Sequence, residues 1–259
     1  MNFEEHIYIG TILLERNRHQ EPKVPTYRVS EWMERFGRDG FDGIELWENH
    51  AALADEAERT AVRDAELPVA VFNTYAPFGA DGADQRDAAA EMAAYFRAAG
   101  VKYNVGPDPD LWDTYVANVR AWAGRLPPGC RVLCECHPGT VVEAPDAAER
   151  LLDALGAPRF QAMIHPFSRG LNVLEAWLDR LGNRVTHAHV QYRPAGEGAQ
   201  RLSAAPKRNA EVCRLLRDRG WAGSLSLEFT EGMNQPDEAV EDSYRAAQDD
   251  LAFLRENLR

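Results

Sequence analysis

With 259 residues the chain has the length of an eight-stranded α/β barrel and enough mass for one substantial core, so a single domain over residues 1–259 is expected. Hydrophobic residues at 45% and charged residues at 27% are ordinary globular usage and exclude a disordered, collagen-like or low-complexity chain. A net charge of −12, from 29 Lys and Arg against 41 Asp and Glu, repels polyanions and argues against nucleic acid as a partner.

The first segment, MNFEEHIYIG, is acidic where a secretory leader would be basic. No run of about 18 apolar residues exists to cross a bilayer, so a soluble cytoplasmic protein without membrane contact is expected. A strand at 6–13 (HIYIGTIL) leads through a long connection to a helix at 29–38. The second strand, 42–47 (DGIELW), carries Glu45 on the same face as Gly43. A carboxylate between Ile44 and Leu46 needs a partner, so Glu45 either orients substrate or pairs with Lys102 inside the barrel. A helix at 51–66 precedes the third strand, 68–73 (PVAVFN), whose last residue, Asn73, stands with Tyr75 at the mouth as a turn former or substrate contact. After a helix at 83–99, the fourth strand, 101–105 (VKYNV), alternates Lys102 and Asn104 with Val101, Tyr103 and Val105. That period of two turns the polar pair inward as candidate substrate contacts.

A helix at 108–124 leads to the fifth strand, 130–136 (CRVLCEC). If Glu135 points into the lumen, Leu133 and His137 do too, and Cys134 and Cys136 face the helices. Cys130, Cys134, Cys136 and Cys213 form no CxxC pairs and fit no common zinc spacing, so they read as reduced packing residues. Pro145 and Asp146 open a helix that Gly156 stops. The sixth strand, 160–165 (FQAMIH), ends on His165 and is followed by a helix at 170–181. The seventh, 184–190 (RVTHAHV), sets His187 and His189 on one face with Gln191. Beyond a helix at 206–219, the eighth strand, 223–229 (GSLSLEF), sets Ser226, Glu228 and Thr230 on one face. Pro236, Asp237 and Glu238 suit the opening of a last helix at 236–257.

Strand and helix alternate throughout, which predicts parallel strands, and no GxGxxG or GxxxxGK[ST] turn supports an open nucleotide-binding sheet. Eight units in this length predict a closed (β/α)8 TIM barrel of the α/β class, with its site at the carboxyl ends of the strands. The longer connections, 14–28, 74–82, 137–144 and 191–205, fall on that face and form the expected substrate mouth. Glu135, His165, His189 and Glu228 end apolar segments there, where an unpaired carboxylate or imidazole is costly. Taken singly, each reads as a buried, hydrogen-bonded polar residue. Together, two carboxylates and two imidazoles suit one divalent first-row metal ion, with one or two positions left for substrate oxygens.

From GIELW through the Glu, His and Glu strand ends, the chain resembles the xylose isomerase-like barrel superfamily of sugar isomerases, epimerases and dehydratases. The resemblance implies a metal held by Glu135, His189 and Glu228, with the two glutamates also exchanging the substrate proton. The family's Asp ligand falls on His165, a departure that lowers the negative charge around the ion by one unit. It favours manganese, with Co, Fe or Zn as alternatives, over Mg. A water in place of His165 is the other reading. Ser168 and Ala195 stand where epimerases of the family often carry His and Arg, and Arg193 is nearby but out of register.

The expected activity is isomerisation or epimerisation of a sugar or keto sugar through an enediolate. His137 is a spare acid or base, and Glu45, Asn73, Lys102, Asn104, His187 and Arg193 are candidate substrate contacts. The alternative is a lyase or dehydratase acting on a keto sugar or keto-inositol. An apurinic-site endonuclease-like phosphodiesterase and a noncatalytic sugar-binding barrel rank lower. No basic cluster for phosphate stands out, so the small-molecule carbohydrate is expected to be unphosphorylated, and the exposed helices offer a face for a homo-oligomer.

Overall fold

Short apolar segments bounded by turn residues become strands buried on both faces, as parallel strands covered by helices must be; GIELW and VAVFN are buried throughout. The computed structural model describes residues 6–235 and 238–259. Strands β1 (Ile7–Gly10), β2 (Gly43–Trp47), β3 (Val69–Asn73), β4 (Gly100–Tyr103), β5 (Arg131–Glu135), β6 (Phe160–Ile164), β7 (Val185–Val190) and β8 (Ser224–Leu227) pair in chain order. β8 then pairs with β1, and the barrel closes. At the seam, Gly10 lets the two backbones approach, since a Cβ there would lie 2.9 Å from the Leu227 carbonyl oxygen.

The surrounding helices are α1 (Ser30–Arg38), α2 (Glu48–Ala52), α3 (Glu56–Arg63), α4 (Ala83–Tyr95), α5 (Trp112–Ala123), α6 (Pro145–Leu155), α7 (Leu171–Leu181), α8 (Pro206–Asp218) and α9 (Val240–Asn257). α6 illustrates the local logic: Ala148, Leu151, Leu152 and Leu155 bury one stripe, and Gly156, at φ 77°, closes the helix with its N–H on Leu152 O. The helix expected at 51–66 is two helices. Asp55 breaks it by accepting from the Glu58 N–H at 2.7 Å as an N-cap, a signal present in the sequence as Asp55 followed three residues later by Glu58. The last helix begins at Val240 rather than 236; Pro236 and Asp237 lie outside the described residues.

Strand alternation sorts the side chains into two layers. Val101, Tyr103, Val105, Cys134 and Cys136 join the core between barrel and helices, and all four cysteines are buried and outside any disulfide. Tyr8, Ala70, Val71 and Leu133 form a separate apolar cluster that plugs the lower lumen. The polar groups above this floor are described below. No described helix is long and apolar enough to cross a membrane.

The alternation ends where the strands end. Thr230, expected on the lumen face with Glu228, lies beyond β8 and donates instead to Asp250 Oδ2 of α9 at 2.8 Å. Asp250 also accepts from the Leu202 N–H at 2.6 Å, so one carboxyl ties together the loops after β7 and β8. Burial pushes this carboxyl up to about 7. A folded value above the unfolded one means that its stabilising contribution is complete below about pH 4 and is lost as pH rises through about 7. Relative to Asp250→Asn, the wild type should therefore lose unfolding free energy between those limits, by about 1.4 kcal/mol per pH unit at the steepest. Urea midpoints of the two proteins that run parallel from pH 4 to 8 would contradict this assignment.

Candidate metal centre

Four strand ends bring their last residues together. Glu135 closes β5, His165 directly follows β6, His189 is the penultimate residue of β7, and Glu228 directly follows β8. All four are enclosed, His189 completely and the other three at 9% exposure or less. His165 Nε2 lies 3.0 Å from Glu135 Oε1, and His189 Nδ1 lies 3.7 Å from that same oxygen and 3.1 Å from Glu228 Oε2. His165 Nε2 and His189 Nδ1 are nevertheless buried without a hydrogen bond.

Each carboxylate is held from behind. Glu135 Oε2 accepts from Lys102 Nζ at 2.7 Å and from Asn104 Nδ2 at 2.8 Å, while Lys102 also donates to Asn104 Oδ1 at 2.6 Å. The Tyr75 ring covers the ammonium, its centroid 3.8 Å from Nζ. Gln191 Nε2 donates to Glu228 Oε2 at 3.1 Å. Glu45 accepts from His189 Nε2 at 2.8 Å, His187 Nε2 at 3.2 Å and Asn73 Nδ2 at 2.7 Å. His187 in turn meets the Ser224 hydroxyl through Nδ1 at 2.8 Å.

Several expectations are corrected by this network. Lys102 pairs with Glu135, not Glu45: Lys102 is in register with Leu133 on the adjacent strand, so its long side chain rises to Glu135 one inward step higher. Glu45, Lys102 and His187 are at most 2% exposed and have their polar atoms engaged, which closes them to direct substrate contact. His137 lies past the end of β5, where the alternation no longer applies. It is exposed at the mouth, with Nδ1 2.6 Å from the Pro138 carbonyl and its ring 5.8 Å from that of His165. Asn104 is half-buried beside Glu135, and Asn73 is buried with its Oδ1 unpartnered. Arg193 is exposed and lies over the Phe229 ring at 4.5 Å. Gln191 and Tyr75 were legible only as a face neighbour of His189 and a mouth residue.

Burial alone would raise the Glu135 carboxyl, but Lys102 and the imidazoles of His165 and His189 hold it well below the usual range. Glu45 is likewise held well down against its burial by His189 and His187. Burial would lower His189, yet the carboxylates of Glu228, Glu45 and Glu135 hold it well above the usual imidazole value. These directions are reciprocal, the cationic side chains lowering the carboxylates and the carboxylates raising the His189 imidazole. Three carboxylates face a single ammonium in a lumen largely closed to water, which leaves two negative charges unmatched when the imidazoles are neutral.

Glu135, His165 and His189 each offer a ligand atom, all within 4.8 Å of one another, and Glu228 joins them through His189. Donors at about 2.0–2.2 Å from a common ion are separated by roughly 3.0–3.5 Å, close to the spacing seen here. Two unpartnered ring nitrogens, two carboxylate oxygens and two unmatched charges fit a divalent cation. A second group, Glu45 with His187 and His189, is already satisfied by its own hydrogen bonds and serves as support.

A family model described as xylose isomerase-like TIM barrel matches residues 34–257. The chain belongs to this family. Among solved members of the xylose isomerase-like fold, a probable 3-DHS dehydratase from Bacillus anthracis superposes with a TM-score of 0.66 at 19% identity, covering 94% of this chain and 98% of that one. D-psicose 3-epimerase from Clostridium cellulolyticum H10, solved with D-tagatose, gives 0.70 at 14% identity, covering 98% and 99%. A xylose isomerase-like TIM barrel protein from Mycobacterium smegmatis in complex with magnesium gives 0.67 at 15% identity, covering 99% and 98%. Identities this low show the shared fold alone. No curated protein sequence matches the chain.

Proposed function

We propose that this xylose isomerase-like barrel is a divalent-metal-dependent enzyme that moves a proton next to the carbonyl of a small keto sugar, as an isomerase or epimerase. The observation that carries the reading is the meeting of Glu135 Oε1 with the two unpartnered nitrogens of His165 and His189 at the carboxyl end of the barrel, with Glu228 Oε2 3.1 Å from His189 Nδ1 beside them. Glu135, His165, His189 and Glu228 would hold such an ion, which would supply Lewis acidity to polarise a carbonyl and ease loss of the proton from its neighbouring carbon. With Asp replaced by His in the donor set, manganese is the first choice, followed by Co, Fe or Zn.

Glu228 is the better placed base. Its Oε2 accepts one hydrogen bond, from Gln191, whereas Glu135 Oε2 accepts from both Lys102 and Asn104. In an isomerisation the proton passes to the Glu228 carboxylate and returns to the neighbouring carbon, and in an epimerisation Glu228 takes the proton from one face while Glu135 returns one to the opposite face of the same carbon. Asn104, half-buried beside Glu135, is the side chain placed to meet a substrate hydroxyl, whereas Asn73 is 1% exposed and held by Glu45, and Tyr75, 46% exposed above Lys102, roofs the same space.

A dehydratase is the second reading, favoured by one observation: His137 stands exposed at the mouth beside His165, where it can protonate a departing hydroxyl. One experiment tests both. Protein stripped with chelator and reloaded with Mn²⁺, Co²⁺, Zn²⁺ or Mg²⁺ is offered a panel of keto-hexoses and a keto-inositol in D₂O. An isomerase or epimerase should bind about one ion per chain and place deuterium on the carbon beside the carbonyl. A dehydratase should release an unsaturated product. Ion-loaded protein that exchanges no hydrogen with any of them would favour a binding barrel without catalysis, and loss of an unsaturated product in His137→Ala would favour the dehydratase with His137 as its acid.

A further inference from the structure

The floor beneath the metal centre contains a carboxylate that the proton-transfer reading does not use. Glu45 stands mid-strand in β2, three strands round the barrel from β7, yet both its oxygens are spent on the β7 histidines and on Asn73. Its Oε1 lies 2.8 Å from His189 Nε2, and an ionised carboxylate accepts only, so Nε2 carries the hydrogen of that bond. The ring's other nitrogen, Nδ1, is the one that faces Glu135 and Glu228 and lacks a hydrogen bond.

We infer that Glu45 is a positioning residue that fixes the tautomer and the ring plane of His189, so that Nδ1 and not Nε2 is presented to the metal ion. The inference rests on the metal reading above and adds to it a residue three strands away around the barrel. Three contacts hold Glu45 in place for this work. Asn73 donates to the oxygen that receives His189, and His187 donates to the other oxygen while its Nδ1 is held by Ser224. Ser226 lies 3.0 Å from His187 Nε2 and closes the far side. Glu45 is 2% exposed and both histidines are fully buried, so no water or substrate competes for these bonds. Carboxylates that receive the free N–H of a metal-binding imidazole raise its donor strength and restrict its rotation, and their loss typically weakens metal binding 10- to 100-fold.

The test uses ion-stripped full-length wild type and Glu45→Gln, titrated with Mn²⁺ against a competing chelator. In parallel, ¹⁵N-labelled wild type and variant are loaded with diamagnetic Zn²⁺, and the ring-nitrogen shifts of His189 are assigned against His189→Gln. The expected results are Mn²⁺ binding weakened about 10- to 100-fold in Glu45→Gln. The Zn²⁺-loaded wild type should show a protonated Nε2 with a ligated Nδ1, and the variant a mixture of tautomers. Equal affinities in wild type and variant would overturn the role of Glu45 and leave the metal centre standing. A wild type that binds neither ion would overturn the metal centre itself, and this inference with it. If Glu45→Gln does not fold, the wild-type spectrum decides alone: a Zn²⁺-ligated Nε2 on His189 overturns the inference.

Discussion

Lys102→Met is expected to cost the ion-free protein about 3–5 kcal/mol of unfolding free energy, the penalty for leaving one partner of a buried pair unmatched. Lys102 is fully buried, its ammonium lies 2.7 Å from Glu135 Oε2, and the Tyr75 ring and Asn104 complete its surroundings. Burial would lower the Lys102 ammonium, but Glu135 above all holds it up, so the cation persists across the whole range in which the fold is studied. Methionine fills a similar volume, which makes the change chiefly one of charge. Without the ammonium, three carboxylates share the lumen with imidazoles alone, and His189 is already claimed by Glu45, Glu228 and Glu135. Adding Mn²⁺ should recover much of the loss, because a divalent ion on Glu135 Oε1 replaces the missing positive charge. Binding at 100 times Kd also adds about 2.7 kcal/mol to the folded state of either protein. Urea unfolding of the two proteins, with and without Mn²⁺, checks both statements. A variant as stable as the wild type when stripped would mean that the Lys102 pair contributes nothing.

The barrel was legible because each strand is short, apolar and bounded by turn residues, and because the period of two assigns faces without reference to the rest of the fold. It turned Lys102, Asn104, Glu135 and His189 inward and sent Tyr103, Cys134 and Cys136 to the helices, and the structure has them there. The same rule misplaced Thr230 and His137, since both lie past the last paired residue of their strands and follow loop geometry. What the pattern could not give was the choice of partner. Glu45 meets His187 and His189 across 142 and 144 residues of chain, and Lys102 chooses Glu135 over Glu45 by register between neighbouring strands. Local sequence carries neither distance. The helix break at Asp55 was present as a capping signal, but the apolar period on either side of it concealed the stop.

Glu228→Gln is expected to slow hydrogen exchange at the substrate carbon by about 10²–10⁴-fold, the usual contribution of a positioned general base. The substitution is well suited to the question because it keeps the shape of the side chain, and its amide oxygen can still accept from Gln191 Nε2, now 3.1 Å from Glu228 Oε2. What it removes is the ability to take a proton and one negative charge of the donor set. The two losses have different readouts. Weaker donation should raise the Mn²⁺ concentration needed for half-loading, whereas loss of the base should persist at saturating Mn²⁺. Exchange measured in D₂O by mass spectrometry on fully loaded protein therefore isolates the base. A loaded variant that exchanges at the wild-type rate would reassign proton removal. His137 would be the next candidate, because Glu135 has Oε2 occupied by Lys102 and Asn104 and turns Oε1 toward His165 and His189. The same crowding makes the two glutamates unequal, so Glu135→Gln should act mainly through ion affinity and recover much of its exchange at saturating Mn²⁺, while Glu228→Gln should not.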